Sequence, residues 1–397
     1  MKALDGIRML DLTQFLAGPH AGMMLADFGA ETIMVEPPGT GVATRAVYEK
    51  DPEASIDGVG ANVLTQCRGK KSVTLDLKQP EGLQIFYELV KHCDVVLNNF
   101  RPGVIERLKI TYEELREINP RIITCSITGF GRTGPGMNRS AYDMVAQGYS
   151  GGMSITGEPG RVPIRAGLPF GDMVGGLLGT IGVLTALQAR ERTGEGQDVD
   201  ISMLDGQISM WNHIGTYFLM TGKAQPHLGN EHFLHMPYGA YPTKDLFLVV
   251  ACVSDKMYRD FVEVLGNPVL LEQQRLDRYW RLEHRAEMNR LIEAETQKWH
   301  CDELLEKLQA RGVPCGPVND MERAFSDPQV LARNMVVEGE FHGKTYRMPG
   351  NPVKMSGTPS ETFGPAPALG EHNEEVYQGL LKKSAAELDG LRSKGLI

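Results

Sequence analysis

Between residues 7 and 128, short β-rich runs alternate with helical patterns, and this alternation restricts the chain to a few architectures. A strand pattern at 7–12 is followed by the Gly18-Pro19 turn, a helical stretch at 20–28 stopped by Gly29, and a second strand at 32–35. The same rhythm returns with β-like residues at 72–77, an amphipathic stretch at 80–92, an apolar run at 94–97 and a strand at 121–128 before Gly129. Successive strand–helix–strand units predict an α/β fold, a parallel sheet with helices on both faces.

Near residue 200 the character changes. Met and aromatic residues rise between 203 and 218, and a polar break runs from 221 to 230. A second unit is expected beyond it, with a strand at 246–250 and helices at 256–265, 285–297 and 302–311. After the Gly312-Val313-Pro314 turn, the Pro/Gly-rich stretch 349–370 reads as extended, and 373–381 and 385–391 read as helical. A length of 397 residues suits two such units. The net charge of -9 argues against nucleic acid or an anionic membrane as principal partner. The six cysteines form no CxxC pair and the ten histidines no HExxH, so no metal site is read. Scattered thiols and an acid at Asp5, where a signal peptide would be apolar, point to a cytoplasmic protein. The apolar run 173–189 ends at Arg190, short of the roughly 20 residues a membrane span needs, and is read as a buried helix.

The segment 163–176, Pro-Ile-Arg-Ala-Gly-Leu-Pro-Phe-Gly-Asp-Met-Val-Gly-Gly, delivers Asp172 from a Gly/Pro turn onto the start of that helix. Two readings stay open. Asp is among the best N-cap residues, and a carboxylate favoured by a helix N-terminus is also suited to act as a nucleophile. Glycines 171, 175, 176 and 179 leave one helix face bare for a ligand or for a packed neighbour. Gly148-Tyr149-Ser150-Gly151-Gly152 matches the G-x-S-x-G of serine hydrolases, but a helical pattern precedes it where a strand is required. The first βαβ unit lacks GxGxxG, so no dinucleotide is indicated. Lys78, Arg101, Arg107 and Arg139 fall near strand ends, where α/β sheets bind ligands, and fit a phosphate-bearing molecule or, taken singly, solvated surface charge.

Several segments in order then resemble one family, the class III CoA-transferases, which include formyl-CoA transferase and carnitine CoA-transferase, with α-methylacyl-CoA racemase as a relative. They are Leu4-Asp5-Gly6-Ile7-Arg8, Ala17-Gly18-Pro19, Asp27-Phe28-Gly29-Ala30-Glu31, Leu75-Asp76-Leu77-Lys78 and Asn99-Phe100-Arg101-Pro102-Gly103. Further on come Gly129-Phe130-Gly131, Ala141-Tyr142-Asp143, Gly171-Asp172, Thr193-Gly194-Glu195-Gly196-Gln197, Gly312-Val313-Pro314-Cys315-Gly316-Pro317-Val318 and Leu369-Gly370-Glu371-His372.

The resemblance implies a Rossmann-like large domain formed by both chain ends, a smaller α+β middle domain, and an interlocked dimer. On this chain that places the large domain at 1–200, a linker at 201–229, the small domain at 230–328, and a return linker with C-terminal helices at 329–397. It implies coenzyme A and acyl-CoA as substrates rather than a resident cofactor, and Asp172 as the carboxylate that carries acyl and then CoA. CoA contacts carry over to Leu16, Ala17, Leu75, Lys78, Asn99, Phe100, Arg101, Arg107 and Arg139, and the substrate pocket to Gln14, Phe15, Tyr142 and Gly171.

Some positions depart from the formyl-CoA transferase pattern. Pro37 replaces an arginine that reaches the nucleotide, Leu16 replaces a glutamine, and 228–231 lacks the mobile polyglycine loop, which leaves 228–238 as a lid of undetermined role. Formyl-CoA and oxalate are accordingly disfavoured as the pair. The racemase alternative needs a His where this chain has Tyr142, and a phenol with a reference pKa near 10 is a poor base. A non-catalytic acyl-CoA-binding protein is the alternative of another class. Arg45, Arg165, His232 and His235 are candidates to meet a second carboxylate of a substrate acid. The resemblance allows a homodimer or a heterodimer with a sister subunit.

Overall fold

The computed structural model describes residues 1–397. They form two compact units, one of residues 1–152, 165–215 and 328–397, the other of residues 153–164 and 216–327.

In the first unit, β1 (Arg8–Asp11), α1 (Ala17–Asp27) and β2 (Glu31–Glu36) make the first crossover. Then follow β3 (Lys70–Thr74), α2 (Pro80–Val90), β4 (Val95–Asn98), β5 (Ile123–Thr128), α3 (Asp143–Tyr149), α4 (Phe170–Thr193), β6 (Asp198–Ser202) and α5 (Met203–Met210). The strands lie in the order β3-β2-β1-β4-β5-β6, and every pairing is parallel. Strand order therefore reverses between β1 and β4, the position where such sheets open a crevice at their carboxyl ends. The sequence reading missed β6 because it is half-exposed: Asp198 and Asp200 alternate with Val199 and Ile201, and a polar edge strand lacks an apolar run.

Residue alternation separates two cores. Leu10, Ile33 and Val96 face one side with Ile85, Phe86 and Leu89 of α2, and Met9, Val95 and Ile127 face the other with Ala21 and Leu25 of α1 and Val183 of α4. The far end of the chain belongs to the first of these cores. Val376, Tyr377, Leu388, Leu391 and Leu396 pack into it, and the Tyr377 hydroxyl donates to Thr74 O at 2.8 Å.

Helix α4 has 24 residues and is long and apolar enough to cross a membrane by length and composition, so the shorter run read from the sequence underestimated it. Half of its most apolar window is buried, against α1 and β5. Its glycines serve packing. A Cβ on Gly176 would stand 2.7 Å from Ala17 O, and one on Gly179 would stand 2.6 Å from Ile127 Cδ1. Two buried ion pairs stiffen the same layer, Arg68 with Asp27 at 2.7 Å and Lys70 with Asp11 at 2.8 Å.

Two stretches read as linkers are structured. Within 201–229, Met203–Met210 and Asn212–Thr221 are helices. Within 329–397, Val336–Phe341 pairs with Lys344–Pro349 in a hairpin whose two-residue turn, His342-Gly343, has φ of 49° and 75°. Positive φ at both turn residues matches the twist of the flanking strands, a signal the Pro/Gly content of the neighbouring segment concealed.

The second unit is α+β. Tyr238–Pro242, Phe247–Ala251 and Cys315–Pro317 form an antiparallel sheet. Its buried face packs with Tyr258, Phe261 and Leu265 of the helix Asp255–Leu265 and with Leu304 and Leu308 of Cys301–Ala310.

A helical Gly→Ala change ordinarily gains about 1 kcal/mol. Gly176→Ala should instead lower stability, because overpacking of about 1–3 kcal/mol outweighs that gain; urea unfolding checks the sign. Arg68→Met strands Asp27 without its partner and should cost about 3–5 kcal/mol in the same measurement.

Candidate active site

Asp172 is not the N-cap of α4. The cap is Pro169, which makes Asp172 the third helical residue. The free N–H groups of the first turn are met from another helix: Asp143 Oδ1, at the start of α3, accepts from Gly171 N at 2.7 Å and from Asp172 N at 3.3 Å. The Asp172 carboxylate consequently has no helix end to satisfy, and it accepts no hydrogen bond. Its burial, followed by the negative charge of Asp143, pushes its pKa up from 3.8 to about 6. The preference of the helix terminus for an ionised carboxylate is thus opposed by burial and by Asp143. The capping role expected of Asp172 falls to Asp143, which sequence reasoning had quoted only as part of a motif.

Asp143 is itself held. Gln147, one turn along α3 and buried, donates Nε2 to Asp143 Oδ2 at 2.7 Å and accepts from Ala166 N at 2.9 Å. An Asp and a Gln at i and i+4 on an exposed-looking helix give no sequence signal of this role.

The β1 and β4 ends meet beside α4. Asn99, after β4, accepts from Gln14 N at 2.9 Å and donates to Gln14 O at 2.7 Å, which clamps the loop after β1. Next to it Phe15 adopts φ of 65°, a left-handed conformation uncommon for a bulky residue, and its N–H donates to the Thr44 hydroxyl at 2.6 Å. The Phe15 ring meets Tyr142 edge-on with centroids 5.8 Å apart, and Arg101 Nη2 donates to the Tyr142 hydroxyl at 3.2 Å. Leu16 precedes α1, whose first residue, Ala17, lies against Gly175 and Gly176 of α4. The loop from Gln14 to Ala17 is in this way joined to Asn99, Arg101 and Tyr142, and Asp143, the chain neighbour of Tyr142, joins them to Gly171 and Asp172.

Other predicted residues stand apart from that cluster. Leu75 is only 2% exposed and packs in the core, so its side chain cannot reach a ligand. Lys78 follows β3, two strands from the crevice, and is exposed. Phe100 and Arg101 line a cavity of about 220 Å³ with Asn98, Gly103, Ser126, Thr128 and Arg132, at the carboxyl ends of β4 and β5; Asp172 does not line it. Arg107 does not line it but donates to the carbonyl of Gly103, which does, at 3.5 Å, and Arg139 lies over the Tyr149 ring at 5.6 Å. Lys78, Arg101, Arg107 and Arg139 make no ion pair with an acid, whereas Arg132, which the sequence reading passed over, is paired with Asp198 at 2.6 Å.

Of the candidates for a second carboxylate, Arg45 donates to Glu36 by two hydrogen bonds of 2.6 Å and to Pro367 O at 3.2 Å, so its guanidinium is already engaged within the fold. Arg165 turns back onto Ala166 O and Gly167 O at 2.9 and 3.1 Å. His232 and His235 belong to the second unit, where they cluster with Tyr238. Pro37 opens a turn closed by Gly41 N donating to its carbonyl at 3.0 Å. Ser150 follows a helix, is buried, and donates to Gln147 O at 2.9 Å, which closes the hydrolase reading.

Comparison with known proteins matches this arrangement to one family. Residues 4–373 match CoA-transferase family III. The chain is 40% identical to a succinate–glutarate CoA-transferase of Agrobacterium fabrum, covering 95% of both proteins. It is 38% identical to an acetyl-CoA:oxalate CoA-transferase of Acetobacter aceti, over 92% of this chain and 93% of that protein. The crystal structure of a CaiB/BaiF family protein from Brucella suis superposes with a TM-score of 0.86 at 34% identity, covering 96% of this chain and 99% of that one. With a parallel sheet reversed at β1 and β4 and a glycine-packed helix carrying Asp172 beside the crevice, the chain is an enzyme that belongs to CoA-transferase family III.

Proposed function

We propose that this enzyme exchanges coenzyme A between carboxylic acids through two covalent states of Asp172. The observation that carries the proposal is the unbonded, half-buried Asp172 carboxylate, spared from helix capping by Asp143. One Asp172 oxygen attacks the donor thioester carbonyl, and the C–S bond breaks to give an aspartyl–acyl anhydride and CoA thiolate. The thiolate attacks the aspartyl carbonyl, releasing the donor acid as its carboxylate and leaving an aspartyl-CoA thioester. The acceptor carboxylate repeats both steps in reverse. Each step trades one activated acyl bond for another, so the thioester free energy is retained and one difficult exchange is divided into easier ones. Raised basicity strengthens the nucleophile, while a pKa of about 6 leaves it largely ionised at neutral pH. The amino end of α4 favours the negative charge that develops beside it.

Coenzyme A is assigned to the crevice at the β1/β4 reversal, with Gln14 to Ala17 and Asn99 to Arg101 along it. The unpaired Arg101, Arg107, Arg139 and Lys78 are the cations that would meet its phosphates. One relative named above carries the names of succinate and glutarate and the other those of acetyl-CoA and oxalate, which makes succinyl, glutaryl and acetyl thioesters the first donors to try. A homodimer is also proposed. The chain alone leaves Leu177 and Ile181 of α4 and Ile208 and Met210 of α5 exposed, an apolar surface that a second copy would cover.

Intact-protein mass spectrometry after brief incubation with these acyl-CoAs should reveal an adduct of CoA mass that hydroxylamine removes and that maps to Asp172. An adduct of the same size on Asp172→Asn would end the proposal. The rate of adduct formation should fall on the acid side with a midpoint near pH 6, because only the carboxylate attacks. Asp143→Asn keeps an acceptor oxygen for the α4 N–H groups and removes the charge, so the midpoint should move to lower pH.

Since the folded-state pKa lies above 3.8, ionised Asp172 lowers stability at pH values above about 6, and this penalty disappears as pH falls below 3.8. Asp172→Asn should therefore melt at a higher temperature than the wild type at pH 8 and show little difference near pH 4. Light scattering of the purified protein should give twice the chain mass; a monomer at micromolar concentration, or a second chain that co-purifies in equal amount, counts against the homodimer.

A further inference from the structure

The Asp143 cap depends on one buried amide. The two Gln147 contacts have opposite polarity. The Ala166 N–H can only donate and so faces Oε1, whereas Asp143 Oδ2 can only accept and so faces Nε2. Both Asp143 oxygens are thereby assigned, Oδ2 to Gln147 and Oδ1 to the first turn of α4. Gln147 is 4% exposed, so water is no substitute for either bond. The same side chain anchors Ala166 at the head of the loop that runs into α4, and thus ties both sides of the Asp172 turn to α3.

Resting on the reading of Asp172 as the nucleophile, we infer that Gln147 is a positioning residue that fixes Asp143 as the cap of α4 and so keeps the Asp172 carboxylate unbonded and reactive. A carboxylate at the third helical position is well placed to satisfy its own helix end. When Asp143 is not held against Gly171 N and Asp172 N, those N–H groups compete for the Asp172 oxygens, and a hydrogen-bonded carboxylate is both less basic and turned from the thioester. Only an amide serves here. Glutamate retains an acceptor for Ala166 N but sets a second carboxylate against Asp143 Oδ2, and leucine makes neither contact.

The test uses the full chain with the acyl-CoA that labels the wild type, and compares Gln147→Leu, Gln147→Glu, Asp143→Asn and the double variant Asp143→Asn/Gln147→Glu. Both Gln147 variants should slow Asp172 labelling about tenfold, the scale of one hydrogen bond to a charged group. KM for the acyl-CoA should stay within about twofold, since the affected group acts in the chemical step. The acid midpoint of Gln147→Leu should move to lower pH, as in Asp143→Asn. In the Asp143→Asn background, Gln147→Glu, which keeps the Ala166 anchor, should add less than about a further twofold, because the one bond it removes is already lost.

Gln147→Glu keeps the Ala166 anchor and so separates loss of the cap from loss of the loop. Its labelling at wild-type rate, multiplying losses in the double variant, or an unmoved midpoint in a folded Gln147→Leu would each overturn the role of Gln147. Absence of any label on the wild type, or a label on Asp172→Asn, would instead overturn the covalent reading on which it rests.

Discussion

The Asn99 side chain spans the reversal of the sheet. Without a bridge, the loops after β1 and β4 leave their strands in divergent directions, since one leads to a helix on one face and the other to a helix on the opposite face. A single carboxamide that donates to Gln14 O and accepts from Gln14 N turns this divergence into a fixed notch. Phe15 is then held at positive φ between that clamp and the Thr44 hydroxyl, and the strain is tolerated because both neighbours are already fixed. Through Ala17 the same loop sets the depth of α4, where Gly176 admits the Ala17 carbonyl. The position of the nucleophile is therefore set from the sheet outward.

A second constraint is electrostatic. Placing Asp143 next to Asp172 raises the free energy of the ionised pair, and a protein concerned with stability alone would substitute one of them. The pairing allows the cap to be strong because it is charged, and it makes the nucleophile more basic than an ordinary aspartate. Arg101, which makes no ion pair, lines the cavity at the β4 and β5 ends, which Asp172 does not line, so attraction for an anionic ligand and activation of the nucleophile fall to different side chains.

Much of this was readable from residue order. The βαβ rhythm gave the parallel sheet, since Met9 and Leu10 or Val95 and Val96 cannot both be buried unless both faces are covered. Asp172 stood out because a Gly/Pro turn delivers it onto an apolar helix. Features that depend on contacts distant in sequence were not readable: Asp143 as the cap, Gln147 behind it, Leu75 turned into the core, and Arg45 taken up by Glu36. In each of these cases the side chain's partner, rather than its type, decides its role, and spacing along the chain carries no record of the partner.

The use of residues 376–396 to complete the first core has a consequence for synthesis. Strands β1 to β3 emerge early from the ribosome, yet the face they present to Val376, Tyr377, Leu388 and Leu391 stays uncovered until almost the whole chain has been made. Contacts such as Asp76 N to Leu396 O close a loop of some three hundred residues, and pairings of that separation form late. The part of the apolar sheet face that α2 leaves open therefore waits for these last helices, and surface exposed in that interval is where a folding chain is prone to associate with others.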